Sequence, residues 1–290
     1  MQHVSRRTFL EASAAATALA LTSRTARAAS GDKMAYGLVT YLWGQDWDLP
    51  TLIANCEKAG ALGVELRTTH AHGVEPTLND QQRVAVRDRF ADSNVTLVGI
   101  GSNERYDDPD PAVVKKALAA TKEFIQLSHD VGSTGVKVKP DRFHPNVPRE
   151  KTIEQIGKSL NELGKYAEGF GQQIRLEVHG QCAELPTIRA IMEIADHRNV
   201  AVCWNSNPQD LLGEGLEHNL GLVRDRFGAT CHVRELESPD YPYQQLIDLL
   251  VKSDYDGWIL LESSSKPADK VAALAQQVAL FRQMVKKAQG

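Results

Sequence analysis

The chain has 290 residues, of which 42% are hydrophobic and 24% charged, and these proportions exclude collagen-like, disordered and disulfide-scaffold proteins. Its four cysteines form no C-x-x-C pair, which argues against a zinc ribbon or a thioredoxin-like motif. The formal net charge is −4. That sign disfavours nucleic acid as a partner, because nucleic-acid binding depends on neutralising phosphates with lysine and arginine.

Residues 1–28 have the pattern of an export signal. The segment Ser5-Arg6-Arg7-Thr8-Phe9-Leu10 is a twin-arginine pattern, which is an address rather than a membrane anchor. An Ala/Leu-rich stretch at 12–21 is too short to span about 30 Å of hydrocarbon, and 26–28 supply an A-x-A cleavage pattern. We therefore expect 1–28 to be a removed signal and the protein to be periplasmic or otherwise exported, with the twin-arginine translocation machinery as a transient partner and no stable membrane anchor. The alternative is a basic amphipathic helix on a cytoplasmic enzyme.

The remaining residues, 29–290, alternate short apolar strands with amphipathic helices. The eight predicted strands are Met34–Leu42, Gly63–Arg67, Val95–Ile100, Gly135–Lys139, Gln173–His179, Val200–Asn205, Thr230–Leu236 and Gly257–Glu262. Proline near the start and glycine near the end mark several of the helices between them. Eight consecutive strand–helix units predict an α/β fold, a single (βα)8 TIM barrel. The competing doubly wound sheet would carry a glycine-rich phosphate turn after its first strand, and 41–46 is not such a turn.

The strands of this barrel carry polar side chains on their inward faces. Alternate residues of a barrel strand point inward, so apolar Leu176 and Val178 should face the helices and leave Arg175, Glu177 and His179 inside. The same parity turns inward Glu65, Arg67, Lys137, Lys139, Asn205, His232, Arg234 and Glu262. Unpaired charges are costly to bury, and most of these residues lie at carboxyl strand ends, where barrel enzymes have their active sites. The pattern therefore favours a catalytic interior over a purely structural one.

Four of these residues have the chemistry of a metal site. Glu177, Asn205, His232 and Glu262 lie at the ends of strands five to eight, and their oxygen and nitrogen donors suit a divalent ion such as Mn²⁺, Mg²⁺ or Zn²⁺. Two carboxylates on a shared ion can take opposite acid and base roles. The alternative is a metal-free polar pocket in which Glu177 pairs with Arg175 or Lys139.

Several of these segments resemble the xylose isomerase-like TIM barrel family of sugar (phosphate) isomerases and epimerases, and the resemblance covers essentially all of 29–290. The segments are GVELR at 63–67, LEVH at 176–179, CHVRE at 231–235 and GWILLE at 257–262. The resemblance implies that the four residues at the ends of strands five to eight hold the ion, and that Glu177 and Glu262 carry a proton beside a carbonyl. Asn205 stands where the metal-binding members usually have Asp, and Pro208 where they often have His. One negative charge fewer should weaken cation binding.

Substrate contacts are predicted around this centre. They are assigned to Trp43, Arg67, His70, His72, Lys139, His179 and Arg234. Among these, His70 and His72 could instead form a second metal site, and Trp43 could pack in the core rather than stack on a sugar ring. Cys203 should point inward and Cys231 outward, which argues against a disulfide between them.

Together these features predict a sugar isomerase or epimerase that moves a proton next to a carbonyl, with a divalent metal ion as cofactor and a small carbohydrate as partner. A non-phosphorylated keto-sugar or sugar derivative fits the expected compartment. Proton abstraction at the same site could also lead to β-elimination, so a 3-keto-glycoside lyase is an alternative. A non-catalytic sugar-binding protein would not need two opposed glutamates. A DNA-repair endonuclease would need a basic face, whereas without four arginines and one glutamate in 1–28 the charge falls to about −7.

Overall fold

The computed structural model describes residues 33–290, so the predicted signal at 1–28 lies outside the described residues. Eight parallel strands follow one another around a closed barrel. Their bounds are β1 Ala35–Val39, β2 Gly63–Arg67, β3 Thr96–Arg105, β4 Gly135–Lys139, β5 Gln173–Glu177, β6 Val200–Asn205, β7 Phe227–Val233 and β8 Trp258–Leu261. The barrel closes where β1 pairs with β8, with Ala35 opposite Trp258 and Leu38 opposite Leu261.

One α-helix follows each strand within the described residues. The helices are α1 Leu49–Ala59, α2 Asp80–Ala91, α3 Pro111–Asp130, α4 Arg149–Glu168, α5 Leu185–Ile194, α6 Leu216–Gly221, α7 Tyr243–Lys252 and α8 Lys270–Ala288. Single 3₁₀ turns lie at Gly180–Cys182, Pro208–Leu211 and Arg224–Arg226. The predicted single (βα)8 barrel is therefore confirmed.

Local signals in the sequence account for the helix ends. Asp48 accepts a hydrogen bond from the Thr51 backbone N–H at 2.9 Å and so caps α1. The helix stops at Gly60, whose φ of 75° is a left-handed conformation that glycine adopts without strain. Asp110 caps α3 in the same way, directly before Pro111 in the first turn.

The hydrophobic core lies between the outer faces of the strands and the inner faces of the helices. Val64, Leu66, Leu176 and Val178 are fully buried in it, as the strand parity predicts. All four cysteines, Cys203 and Cys231 included, are buried free thiols. Among the described residues, no helix is both long enough and apolar enough to cross a bilayer.

Five strands end at a residue other than the one predicted. β1 ends at Val39 rather than Leu42, and β7 at Val233 rather than Leu236. β3 continues beyond Ile100 to Arg105, where it pairs with Lys139 of β4 after a shift in register. β5 ends at Glu177 rather than His179, because Gly180 turns the chain with a φ of 68°. β8 ends at Leu261, one residue before Glu262.

Candidate active site

Arg175 fills the floor of the barrel. Its guanidinium donates to Gln173 Oε1 at 2.8 Å, to the Val98 carbonyl at 2.7 Å and to Thr134 Oγ1 at 2.6 Å. These partners lie near the amino ends of β3, β4 and β5. The long side chain therefore reaches away from the carboxyl ends of the strands, and it does not pair with Glu177 as the metal-free alternative supposed.

Lys137 is the partner of Glu177. Its Nζ lies 2.8 Å from Glu177 Oε2, and the two side chains are only 2% and 1% exposed. Burial alone would raise the pKa of Glu177, but Lys137 and His232 hold that pKa well below its ordinary value. Burial alone would lower the pKa of Lys137, but Glu177 and Glu65 raise it. Both members of the buried pair are therefore charged. Strand parity predicted that Lys137 points inward, but it gave no indication of this role.

His232 connects Glu177 with the end of β8. Its Nδ1 lies 3.5 Å from Glu177 Oε1 and 3.6 Å from Glu262 Oε2. Glu177, His232 and Glu262 each present one ligand atom, and these three atoms lie within 4.8 Å of one another. His232 is fully buried, whereas the Glu262 side chain is 18% exposed. Glu262 is therefore the member of the cluster nearest to solvent.

Asn205 joins the two carboxylates through its amide nitrogen. Nδ2 donates to Glu177 Oε1 at 2.8 Å and to Glu262 Oε2 at 3.3 Å. Glu177 and Asn205, which end β5 and β6, and His232, one residue before the end of β7, thus meet Glu262 at one point, as the sequence predicts. In this arrangement the amide nitrogen of Asn205, rather than its oxygen, faces the carboxylates.

The chemistry of this cluster fits a divalent cation. Neither ring nitrogen of His232 completes a hydrogen bond, and neither do the two carboxylate oxygens of Glu65, although all four atoms are buried. Glu65, Glu177 and Glu262 bring three negative charges together, with the ammonium of Lys137 inside the cluster and that of Lys139 at its edge. A divalent cation would add positive charge to this carboxylate-rich centre. Two carboxylates and an imidazole are suitable ligands for Mn²⁺, Mg²⁺ or Zn²⁺, so Glu177, His232 and Glu262 are the residues that would hold it.

A second polar group lies at the rim, where β3, β4 and β5 end. His179 Nδ1 lies 2.7 Å from Asp141 Oδ1, and Arg105 pairs with the other oxygen of Asp141. The His179 hydrogen bond, with the positive charges of His179 and Arg105, lowers the pKa of Asp141 against the effect of burial. Burial and the charge of Lys137 lower the pKa of Lys139. Sequence reasoning missed Asp141 and Arg105. The signal for Asp141 was a carboxylate directly after Lys139-Pro140 at the end of β4.

The two histidines predicted to contact substrate both lie in the loop after β2, but they have different partners. His70 Nδ1 lies 2.9 Å from Thr40 Oγ1, and burial followed by the charge of Arg67 lowers its pKa to about 4. His72 is buried, with Nε2 2.8 Å from the Arg67 carbonyl and Nδ1 accepting from the Val74 N–H at 3.0 Å. Both ring nitrogens of His72 therefore bind the backbone of their own loop, and neither is left for a substrate hydroxyl.

The remaining predicted substrate residues lie in different surroundings. Trp43 is 2% exposed, packs in the core and donates from Nε1 to the Ser265 carbonyl at 3.0 Å. It therefore has no free face for a sugar ring. Arg67 donates to the Thr68 carbonyl at 3.1 Å and to Asn103 Oδ1 at 3.2 Å, beside the mouth of the barrel. Arg234 is exposed just past β7.

Solved structures of known proteins share this fold. The apo form of 3-keto-D-glucoside 4-epimerase, YcjR, from E. coli has a TM-score of 0.73 at 15% identity, covering 86% of this chain and 99% of that chain. An L-ribulose 3-epimerase has a TM-score of 0.73 at 16% identity, covering 88% and 95%. The IOLI protein with a binding zinc atom has a TM-score of 0.72 at 16% identity, covering 88% and 99%. At such identities the likeness shows the fold alone.

Comparison by sequence identifies a family but no individual relative. No protein of established function matches the chain by sequence. The family model described as "Xylose isomerase-like TIM barrel" matches residues 53–207, which is more than half of the chain. This protein therefore belongs to the xylose isomerase-like TIM barrel family.

Proposed function

We propose that this protein is a sugar isomerase or epimerase that transfers a proton next to a carbonyl. The observation that carries the proposal is the pair of carboxylates, Glu177 and Glu262, which converge on the same amide nitrogen of Asn205 at the carboxyl ends of β5 and β8. A proton moved from one face of a carbon to the other needs a base and an acid on opposite sides, whereas a proton moved between neighbouring carbons can be carried by one carboxylate. Known sugar epimerases with the same fold are consistent with this chemistry.

The two carboxylates have unequal surroundings, which suggests unequal roles. Glu177 is tied to the ammonium of Lys137 at 2.8 Å, which makes it a poor base. Glu262 has no ammonium partner within the described part of the chain and is partly exposed. Burial and the charge of Glu177 would raise the pKa of Glu262, but His232 and Lys137 lower it overall. Glu262 is thus ionised at neutral pH, and we assign it the first proton abstraction. Glu177 is ionised too, so to return a proton from the other side it would first take one from the Lys137 ammonium, 2.8 Å from its Oε2.

A divalent cation held by Glu177, His232 and Glu262 would supply a Lewis acid for a substrate oxygen. Lys139, whose ammonium lies near the cluster at the end of β4, would donate to the substrate carbonyl or to a neighbouring hydroxyl. His179 and Arg67 would orient hydroxyls from the rim.

The substrate class follows from the expected location. If residues 1–28 direct export, the protein works where sugar phosphates are scarce, and a non-phosphorylated keto-sugar or sugar derivative is the fitting substrate. Both the location and the substrate class are part of this proposal.

The pair of His179 and Asp141 favours a second candidate, a 3-keto-glycoside lyase. In β-elimination the proton next to the carbonyl leaves first, then the bond between the β-carbon and the glycosidic oxygen breaks, and that oxygen must gain a proton. Asp141 holds Nδ1 of His179 at 2.7 Å, so in the protonated ring the other nitrogen, Nε2, would be the proton donor to the leaving oxygen. The two candidates share the removal of the proton next to the carbonyl. They differ in the next step, which is either return of a proton to carbon or breakage of the glycosidic bond.

Solvent deuterium exchange tests the proposal. Protein loaded with Mn²⁺ is incubated in D₂O with a panel of keto-sugars and 3-keto-glycosides and followed by NMR. We expect deuterium at the carbon next to the carbonyl, and an exchange rate at least about 10²-fold lower in Glu177→Gln and in Glu262→Gln. Glu154→Gln, on the exposed side of α4, is the matched control and should exchange at the wild-type rate.

The products separate the candidates. A new epimer or isomer supports the first function, and a released aglycone supports the lyase. Binding of keto-sugars without any exchange would instead identify a sugar-binding protein. Full activity in both glutamate variants would overturn the assignment of the proton-transfer residues.

A further inference from the structure

Glu65 is a buried carboxylate to which the proposed proton transfer assigns no role. It lies on β2, is fully buried, and neither of its oxygens completes a hydrogen bond. An ionised carboxylate in such surroundings is costly unless it faces a partner. Its position in the middle of the barrel, below the mouth, therefore needs an explanation.

The neighbouring strand leaves room for this carboxylate. A Cβ atom added to Gly99 of β3 would lie 2.9 Å from Glu65 Oε2, and one added to Gly101 would lie 2.9 Å from Oε1. Cβ atoms in proteins essentially never lie this close to another heavy atom. The sequence Gly99-Ile100-Gly101 thus places two glycines where side chains would push Glu65 aside. The absence of side chains at these two positions leaves the space that the Glu65 carboxylate occupies.

Across the barrel, that position faces one nitrogen of His232. Glu65 Oε1 lies 3.3 Å from His232 Nε2. The opposite nitrogen, Nδ1, lies 3.5 Å from Glu177 Oε1 and 3.6 Å from Glu262 Oε2. The imidazole therefore lies between Glu65 on one side and the two glutamates of the site on the other.

We propose that Glu65 is the positioning residue of His232. Through a hydrogen bond from Nε2–H, Glu65 selects, for the neutral ring, the tautomer with its lone pair on Nδ1, and so presents Nδ1 to the cation that Glu177 and Glu262 would share. A carboxylate behind a metal-binding histidine orients the ring and makes the ligating nitrogen more basic. The inference rests on the cation assistance proposed above. It adds which ring nitrogen binds and which residues of the chain select it.

Cation affinity and the tautomer of His232 test this inference. Titration of metal-free protein with Zn²⁺ and Mn²⁺ by calorimetry should show affinity about 10- to 100-fold lower in Glu65→Gln than in wild type, as for other outer partners of metal-binding histidines. Gly99→Ala, which displaces the carboxylate without removing it, should weaken binding in the same direction. Glu235→Gln is the matched control, because Glu235 is three residues from His232 but bonds to Ser263.

Nitrogen-15 NMR of histidine-labelled wild-type protein gives a readout that does not depend on any variant folding. With Zn²⁺ bound, Nε2 of His232 should carry the proton and Nδ1 the metal. Metal on Nε2, or equal affinities in wild type and Glu65→Gln, would overturn the role of Glu65 alone. Absence of cation binding in wild type would overturn the cation assistance and this inference with it. Loss of thermal stability in Glu65→Gln with unchanged affinity would mark Glu65 as merely structural.

Discussion

Replacing Lys137 with Met tests the charge balance of the site. The substitution keeps an unbranched side chain of similar length but removes the ammonium 2.8 Å from Glu177 Oε2. At that distance the gross attraction is about 6 kcal/mol with an effective dielectric constant of about 20. Removing one member of a buried pair typically costs about 3–5 kcal/mol, because the other charge remains buried. We expect the free energy of unfolding of metal-free Lys137→Met to fall by about that amount.

A cation should reverse much of this loss. Without this ammonium the three carboxylates lose the positive charge nearest to Glu177, so a divalent ion binds to a more negative site. Mn²⁺ should therefore stabilise Lys137→Met more than it stabilises wild type. The difference between the two proteins should narrow as Mn²⁺ is added and widen again with a chelator.

Urea denaturation followed by circular dichroism, with chelator and with Mn²⁺, measures both effects. Lys158→Met is the matched control. Its ammonium lies 2.7 Å from Glu154, but the two side chains are 70% and 40% exposed, so its loss should change stability little. The reasoning is refuted if Lys137→Met loses no more stability than Lys158→Met, or if Mn²⁺ stabilises wild type and Lys137→Met equally.

Three further predictions concern other parts of the chain. Asn205→Asp should raise Mn²⁺ affinity in calorimetry, by a few kcal/mol at most, and an unchanged affinity would place Asn205 outside the coordination sphere. Burial raises the pKa of Asp210 to about 7 in the folded protein, above about 3.9 when unfolded. Its contribution to stability is therefore full at low pH and is lost as pH rises through about 7, by roughly 4 kcal/mol at most. Asp210→Asn should unfold with a flatter pH dependence between pH 5 and 8, and equal slopes would contradict this. Changing Arg6 and Arg7 to Lys should leave an uncleaved precursor in the cytoplasm on fractionation, and normal export would exclude the twin-arginine signal.

The fold could be predicted from sequence because its signals are local and repeated. Eight apolar segments of strand length alternate with capped amphipathic helices, and the count of eight closes a barrel. The predicted strand ends were less accurate, because the point where a strand ends depends on the strands beside it. β3 continues to Arg105 because Lys139 of β4 offers it a partner, and that pairing is not visible in either segment alone.

The side chains that face inward were also predictable, but their partners were not. Parity turned Lys137, Arg175 and Glu177 into the barrel, because the apolar residues between them must face the helices. It does not say how far along the barrel a side chain reaches. Arg175 extends to the floor, where carbonyl and hydroxyl oxygens satisfy its guanidinium, so the shorter lysine next to it remains to pair with Glu177.

The directions of loop side chains could not be predicted, for a different reason. His72 and Trp43 follow strands on the catalytic face, which favoured substrate contacts. Whether a side chain after a strand points to the mouth or back into the protein depends on the hydrogen bonds of the loop. Here the Arg67 carbonyl and the Val74 N–H take both nitrogens of His72, and the Ser265 carbonyl takes the indole of Trp43.

Asn205 would stabilise the proposed cation site when no ion is bound. An aspartate there would add a fourth carboxylate to Glu65, Glu177 and Glu262, whereas Asn205 adds no charge and donates to both Glu177 and Glu262. The amide therefore stabilises the metal-free state that Asp would destabilise, and it weakens the cation affinity that Asp would strengthen. It follows that Mn²⁺ should raise the melting temperature of Asn205→Asp more than that of wild type. If wild type gains as much, the amide does not substitute for the cation, and the charge of Lys137 alone must balance the pair.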